Sequence, residues 1–384
     1  MGIRTCAKAS ETFSCLLSSY ENRHEFLQNC RKEGKKVVGR LGYGVCEELI
    51  LAAGLESTMV CADCNTTMET ADRYLEYSFA PRARAFFDRL ADGKRNELPD
   101  FVAVADSEDV TNRIYYYLRE IKRSEPEQQI PELYLIDWLF SRHMMYQLWN
   151  EKALARFRTQ LEAWSGTTIT DEAVRAAMTL TNRQHAALKR LQALRRAEEP
   201  KISGSEALVI YGAGFFMEKT AYVQLLEQLA EEAESWPVIA GKRVFYTGSE
   251  QETTAVYDAI EAAGFVIVGE DLNWGDRSCE RPCKENLQVL PALVDKYMFA
   301  APTTQKGLVG ERVAALLNYV EQTGAEAVVF YNEEYEEAAS WDYPSQKQAL
   351  EEKGVPSVNF CKMKYPMERN ADFAQQIQAF AATM

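Results

Sequence analysis

Twice along this chain, short runs of β-branched and apolar residues alternate with helix-length segments, and each run breaks at a glycine or a polar turn. A strand, a crossover helix and a second strand in succession lead to parallel pairing, which commits the chain to sheets covered by helices on both faces. The first alternation opens with strand 35–41, turns at Gly42-Tyr43-Gly44, runs as helix 47–53 to Gly54, and returns as strand 57–61. Helix 77–90, strand 99–104, helix 109–122 and strand 133–136 continue it. The second alternation runs through strand 242–248, helix 253–263, strand 265–269, helix 310–323, strand 327–330, helix 345–353, strand 357–360 and helix 372–382.

Between the two, almost every window from 150 to 236 has helical spacing, with Thr170-Asp171-Glu172 as a capped start and 189–199 as a charged, exposed end. Residues 5–33 are also helical, stopped by Gly34. The expectation is an α/β protein of two doubly wound, Rossmann-like domains facing each other across a cleft and joined by a helical layer. The domains are 1–150 and 241–384, and the layer is 151–240. Ligands of such sheets sit outside the carboxyl ends of the strands, so the loops after each strand are the places to search.

Charge narrows the partners. Asp and Glu outnumber Lys and Arg by 57 to 43, a formal charge of −14, which argues against a phosphate backbone as partner over most of the surface. No uncharged apolar stretch is long enough to span a bilayer, and the N-terminal segment has no apolar core with a cleavage site, so a cytoplasmic protein with no membrane partner is expected. The nine cysteines are then expected to be reduced and available for burial, metal ligation or catalysis.

One resemblance covers the chain from about residue 30 onward. Gly34-Lys35-Lys36-Val37-Val38-Gly39, then Tyr43 to Ile50 with Glu47-Glu48-Leu49 and Ala52-Ala53-Gly54, resembles the opening of the activator-dependent 2-hydroxyacyl-CoA dehydratase and ATP-dependent benzoyl-CoA reductase family, usually Pro-Glu-Glu-Leu before an Ala-Ala-Gly helix end. The likeness resumes at Tyr77-Ser78-Phe79, Asp92-Gly93, Asp109 to Leu118, Gly269-Glu270-Asp271, Gly275-Asp276-Arg277-Ser278 and Asp342-Tyr343-Pro344. In order and spacing it is similar to the smaller, β-type subunit. The resemblance implies a CoA-thioester substrate, a homologous α-type partner subunit and an ATPase activator protein. It also implies a four-iron, four-sulfur cluster through which the thioester carbonyl is reduced to a ketyl radical, so that water can leave. The choice between dehydration and reduction stays open.

The cluster positions are where this sequence departs. The family's three cysteine ligands correspond here to Ala80, Glu108 and Tyr335, and none is a thiol. Three readings follow: a catalytic-complex subunit whose redox chemistry lies in its partner, a metal-free assembly or regulatory subunit, or an electron relay with a displaced cluster. For the last, Cys61-x-x-Cys64 and Cys279-x-x-x-Cys283 follow strands of different domains, and four converging thiolates would suit iron-sulfur or zinc. Cys6, Cys15, Cys30 and Cys361 read as small buried hydrophobes.

Other candidates come from charge and position. Glu47 and Glu48 begin a helix after a strand, and the resemblance places the pair near the substrate carbonyl as base or orienter; helix-dipole complementation is the competing role. Tyr43 is expected to contact substrate, and Arg277 to bind it through a CoA phosphate, to pair with a carboxylate of the partner, or to form a structural ion pair. Tyr211-Gly212-Ala213-Gly214 lacks the third glycine and acidic partner of a dinucleotide loop and reads as a turn between helices. His24, His143 and His185 have no triad partners in sequence, and Tyr115-Tyr116-Tyr117 points around a helix as packing.

Overall fold

The computed structural model describes residues 2–62, 68–92, 97–141, 143–300 and 307–384. Among these described residues eight strands form two separate, wholly parallel sheets. The first holds β1 (Val37–Leu41), β2 (Glu56–Met59), β3 (Phe101–Ala105) and β4 (Glu132–Ile136) in the order β2-β1-β3-β4. The second holds β5 (Lys242–Gly248), β6 (Phe265–Glu270), β7 (Ala327–Glu333) and β8 (Ser357–Met363) in the order β6-β5-β7-β8. The two orders are the same permutation, so the chain contains one doubly wound topology twice, each with its switch point between the two central strands.

Both faces of each sheet are covered, as the apolar strands require. Val38, Ala103 and Ala105 face a core shared with the helix Met144–Ser165, while Val102 and Val104 face the helices Pro81–Ala91 and Asp109–Ser124. Phe101 stacks on Trp164 at 4.5 Å, and Tyr134 stacks on Phe157, which is fully buried and worth roughly 1.5–3 kcal/mol. The second sheet buries Val244, Tyr246, Val329 and Tyr331 on one face and Phe245, Val268, Val328 and Phe330 on the other. The N-terminal helices, which hold Ala7, Phe13, Leu16 and Tyr20, join the core of this second sheet, with the Tyr20 hydroxyl donating to Glu252 O at 2.8 Å.

Several local expectations change. Pro81 sits at the first turn of its helix, so that helix starts at Pro81 and not at 77. Pro344 lies inside the helix Glu337–Glu352, where a start had been expected near 345. Arg195, in the segment expected to be exposed, is 1% exposed because it pairs with Glu270 and faces Asp276. Tyr211-Gly212-Ala213 is the end of the buried helix Gly204–Ala213, capped by Gly214, so only the last residue of the motif belongs to the turn. The helix Val289–Met298 escaped the pattern because Pro291 interrupts its apolar spacing, and it carries two residues of the site below.

Candidate functional site

The carboxyl ends of both sheets open on one interdomain cleft with an empty volume of about 1270 Å³, mouth included. Loops after β1, β3, β5 and β6 line it, which is where doubly wound sheets place ligands. Glycine shapes the β1 loop. Gly42 and Gly44 have φ of +83° and +110°, and a Cβ would come within 2.7 Å of Ser107 Oγ at the first and 3.1 Å of Trp138 Nε1 at the second. The Trp138 indole donates to Gly44 O at 3.0 Å, fixing the turn that sends Tyr43 to the cleft wall and starts the helix Glu47–Ala52. Six arginine and lysine side chains but only four glutamates line this cleft, in a chain whose formal charge is −14.

Both glutamates of that helix are buried. Glu48 lies behind the wall, fully buried, and accepts from Lys296 Nζ at 2.6 Å, Thr181 Oγ1 at 2.9 Å, Tyr297 OH at 2.9 Å and Cys283 Sγ at 3.6 Å. Burial alone would raise its carboxyl, but the Lys296 ammonium and these donors pull it down to about 2. A carboxylate held so low is a poor proton acceptor, so the geometry makes Glu48 an anchor for Lys296 and Tyr297, which do line the cleft. Glu47 lines the cleft itself, with Oε1 3.1 Å from Arg40 Nη2 and 3.0 Å from Lys219 Nζ. Against burial, these cations also lower Glu47. Lys219 is itself held below its ordinary value, chiefly by burial, with Arg40 and Lys296 adding to the effect and Glu47 opposing it. The ion pairs are close, but their angles are not those of hydrogen bonds, which leaves Arg40 Nε and Nη2 and Glu47 Oε1 buried without a hydrogen-bond partner.

At the outer end of the cleft stands Arg82, 3.7 Å from Glu252 and facing Glu250, Glu333 and Glu336 as well. Here burial outweighs Arg82, which all four share, and the added pull of Arg277 on Glu250 and of Arg23 on Glu252: Glu250 and Glu252 are raised, Glu336 is pushed up to about 7 and Glu333 to about 8. The loops expected to bear cluster ligands do meet here. Ala80 precedes the helix that supplies Arg82, Glu108 lines the cleft, and Tyr335 precedes Glu336 and packs its ring edge-to-face on Tyr77 at 5.3 Å. A guanidinium and carboxylates stand where thiolates would be needed, so these residues do not fit an iron-sulfur cluster.

The relocated cysteines have separate surroundings. Cys61 Sγ accepts from Arg89 Nη1 at 3.2 Å, Cys279 Sγ donates to Asp276 O at 3.4 Å, Cys283 Sγ faces Glu48, and Cys64 lies outside the described residues. Burial pushes the Cys279 thiol up to about 12 and raises Cys283 as well, which Glu48 reinforces. Among the described residues no group of three or more His, Cys, Asp or Glu is arranged to hold a metal ion. Cys30 is buried as expected and Cys6 partly so, whereas Cys15 and Cys361 are exposed.

Of the other candidates, Arg277 lines the cleft with its Nη2 3.8 Å from Asp271 and its Nε unpaired, and Tyr43 tilts against Tyr297 at 6.2 Å. His185, which has no triad partner in sequence, lines the cleft with Nε2 making no hydrogen bond. Arg40, Lys219 and Lys296 were missed. Arg40 lay inside a strand and could be suspected only from the rarity of a buried cation in a parallel sheet, and the other two lay in helices without motifs.

The model of the family described as 2-hydroxyglutaryl-CoA dehydratase, D-component, matches residues 43–384. The chain is 23% identical over 343 residues to the (R)-2-hydroxyglutaryl-CoA dehydratase subunit beta of Acidaminococcus fermentans, covering 86% of this chain and 88% of that one. It is 20% identical over 370 residues to the (R)-phenyllactyl-CoA dehydratase beta subunit of Clostridium sporogenes, covering 95% and 96%. It is also 26% identical over 209 residues to the lactoyl-CoA dehydratase subunit beta of Anaerotignum propionicum, covering 52% and 55%. Among the described residues no helix is long and apolar enough to cross a membrane.

Proposed function

Because the chain belongs to the 2-hydroxyglutaryl-CoA dehydratase D-component family, we propose that it is the β-type subunit of a 2-hydroxyacyl-CoA dehydratase, a lyase acting on a CoA thioester. The observation that carries this reading is the family match across 43–384, over a chain whose cleft lies where both sheets end. The full complex adds an α-type partner that bears the iron-sulfur cluster and an ATPase activator that supplies its electron, in a cytoplasmic heterodimer. The reductive step belongs to that partner, since Ala80, Glu108 and Tyr335 offer no thiolate at the family's ligand positions.

This chain's own contribution is a shaped, charged wall. Glu48 stays ionised and holds Lys296 and Tyr297 in fixed positions, and Arg40, Lys219 and Arg277 present positive charge to whatever enters. The test is reconstitution. Chain purified anaerobically alone should carry iron and zinc well below one atom per chain and show no turnover, and should gain dehydration of a 2-hydroxyacyl-CoA only with a homologue that retains the three cysteines and with the activator. Four irons per chain, lost in a Cys61→Ser, Cys279→Ser variant, would instead establish the displaced cluster and an electron-relay role. Metal-free chain that adds nothing to the partner's turnover would leave an assembly role.

A further inference from the structure

The inner end of the cleft has more positive charge than its own carboxylates balance. Arg40, Lys219 and Lys296 stand against Glu47 and Glu48, and Glu48 is already saturated by donors. Glu47 alone is shared by Arg40 and Lys219. Of the further carboxylates on the cleft wall, Glu250 accepts from the backbone N–H groups of Asn273 and Trp274, and Glu252 from that of Ala62 while facing Arg82. Arg40 Nε is buried on the cleft wall and donates to nothing, and Nη2 makes no hydrogen bond, meeting Glu47 Oε1 at 3.1 Å only in the ion pair that Lys219 shares. A guanidinium edge that makes no hydrogen bond, beside an ammonium that shares the same single glutamate, matches the oxygens of one further carboxylate.

Next to this pair the wall turns apolar. The Arg40 guanidinium lies over Phe215 at 5.5 Å from its centroid, and Phe215 packs on Trp274 at 5.0 Å; Met59 and Phe86 extend the same surface. We infer that Arg40 and Lys219 form a binding site for a single carboxylate carried on a short apolar chain, the chain lying along Phe215 and Trp274. The site belongs to this subunit alone and needs no cluster, so it goes beyond the dehydratase reading. The carboxylate has two possible sources, a free acid or the distal carboxylate of an acyl thioester.

Calorimetric titration of the purified full chain decides the matter. Hexanoate should bind at least tenfold tighter than hexanamide, which has the same chain and no charge, and this comparison needs no variant. Arg40→Met should abolish the preference, with Arg40→Lys restoring part of it and circular dichroism verifying the fold of each. Glutaryl-CoA that binds tighter than hexanoyl-CoA, with the difference lost in Arg40→Met, assigns the thioester source; equal affinity of the two thioesters together with hexanoate binding assigns the free acid. Equal binding of hexanoate and hexanamide, or an Arg40→Met affinity within twofold of the unmutated protein for both hexanoate and glutaryl-CoA, overturns the site. Neither outcome bears on whether the chain pairs with an α-type subunit, which reconstitution tests separately.

Discussion

The two ends of the cleft bury the same kind of side chain and drive it in opposite directions. At the inner end Glu47 and Glu48 are lowered, and at the outer end Glu250, Glu252, Glu333 and Glu336 are raised. Burial pushes all six upward, so the difference lies in the neighbours: Arg40, Lys219 and Lys296 serve two carboxyls inside, whereas Arg82 is spread over four outside, helped by Arg277 at Glu250 and by Arg23 at Glu252. Burial alone therefore does not make a glutamate a proton acceptor; the local ratio of cations to carboxyls decides. The inner glutamates are fixed charges, whereas at the outer end Glu333 and Glu336 exchange protons near neutral pH.

The largest effect should come from breaking the inner end. Lys296→Met leaves Glu48 buried without its ammonium partner and should cost about 3–5 kcal/mol in chemical denaturation at pH 7. Adding Glu48→Leu to it should restore most of that loss, because the stranded charge is then gone. Arg82→Met at the outer end should cost distinctly less, since the carboxyls there answer by taking up protons. Equal losses for Lys296→Met and Arg82→Met would erase the contrast between the two ends.

The contrast also has a pH signature. Glu333 titrates near 8 in the folded chain against an ordinary 4.5, so between those values the folded state keeps a proton that the unfolded chain has released. Its contribution to stability is full below about 4.5 and is lost as pH rises through about 8. Glu48, lowered to about 2, does the reverse: its contribution is present above 4.5 and is lost as pH falls toward 2. Glu333→Gln should therefore leave stability at pH 5 nearly unchanged or slightly reduced and raise it at pH 8.5, by on the order of 1–2 kcal/mol after relaxation around the four glutamates. A parallel loss at both pH values would mean that the carboxyl is ionised throughout.

The sequence carried the architecture because period and punctuation are local. Continuous apolar strands such as β3 and β7, closed by polar turns, show up in any short window, and the loops they end in are where the cleft lies. Tyr43, Glu47 and Arg277 were legible for that reason, each lying just after a strand. Lys219, Lys296 and Arg82 were not. They reach the cleft from helices that pack in from other parts of the chain, and nothing in a window around Lys296 signals Glu48, 248 residues away. The protonation states were hidden for the same reason, because they depend on which cations tertiary packing brings near.

The smallest expected effect tests the least conventional member of the inner end, the thiol of Cys283. Its sulfur is 3.6 Å from Glu48 Oε1, and burial followed by the Glu48 charge raises its pKa, so it stays protonated and acts as the weakest of four donors. Removing it in Cys283→Ala leaves Glu48 with Lys296, Thr181 and Tyr297, so the loss should be only about 0.5–1 kcal/mol, most of it the lost side-chain volume. The same reasoning fixes its reactivity. Cys15 and Cys361 are exposed and should alkylate with iodoacetamide at pH 8 within minutes, whereas Cys283 should remain unmodified until the chain is denatured, as read by mass spectrometry of the digested protein. Rapid labelling of Cys283 in the folded chain would mean that it exists as a thiolate beside Glu48. That outcome would remove it as a donor and return it to the list of candidate metal ligands.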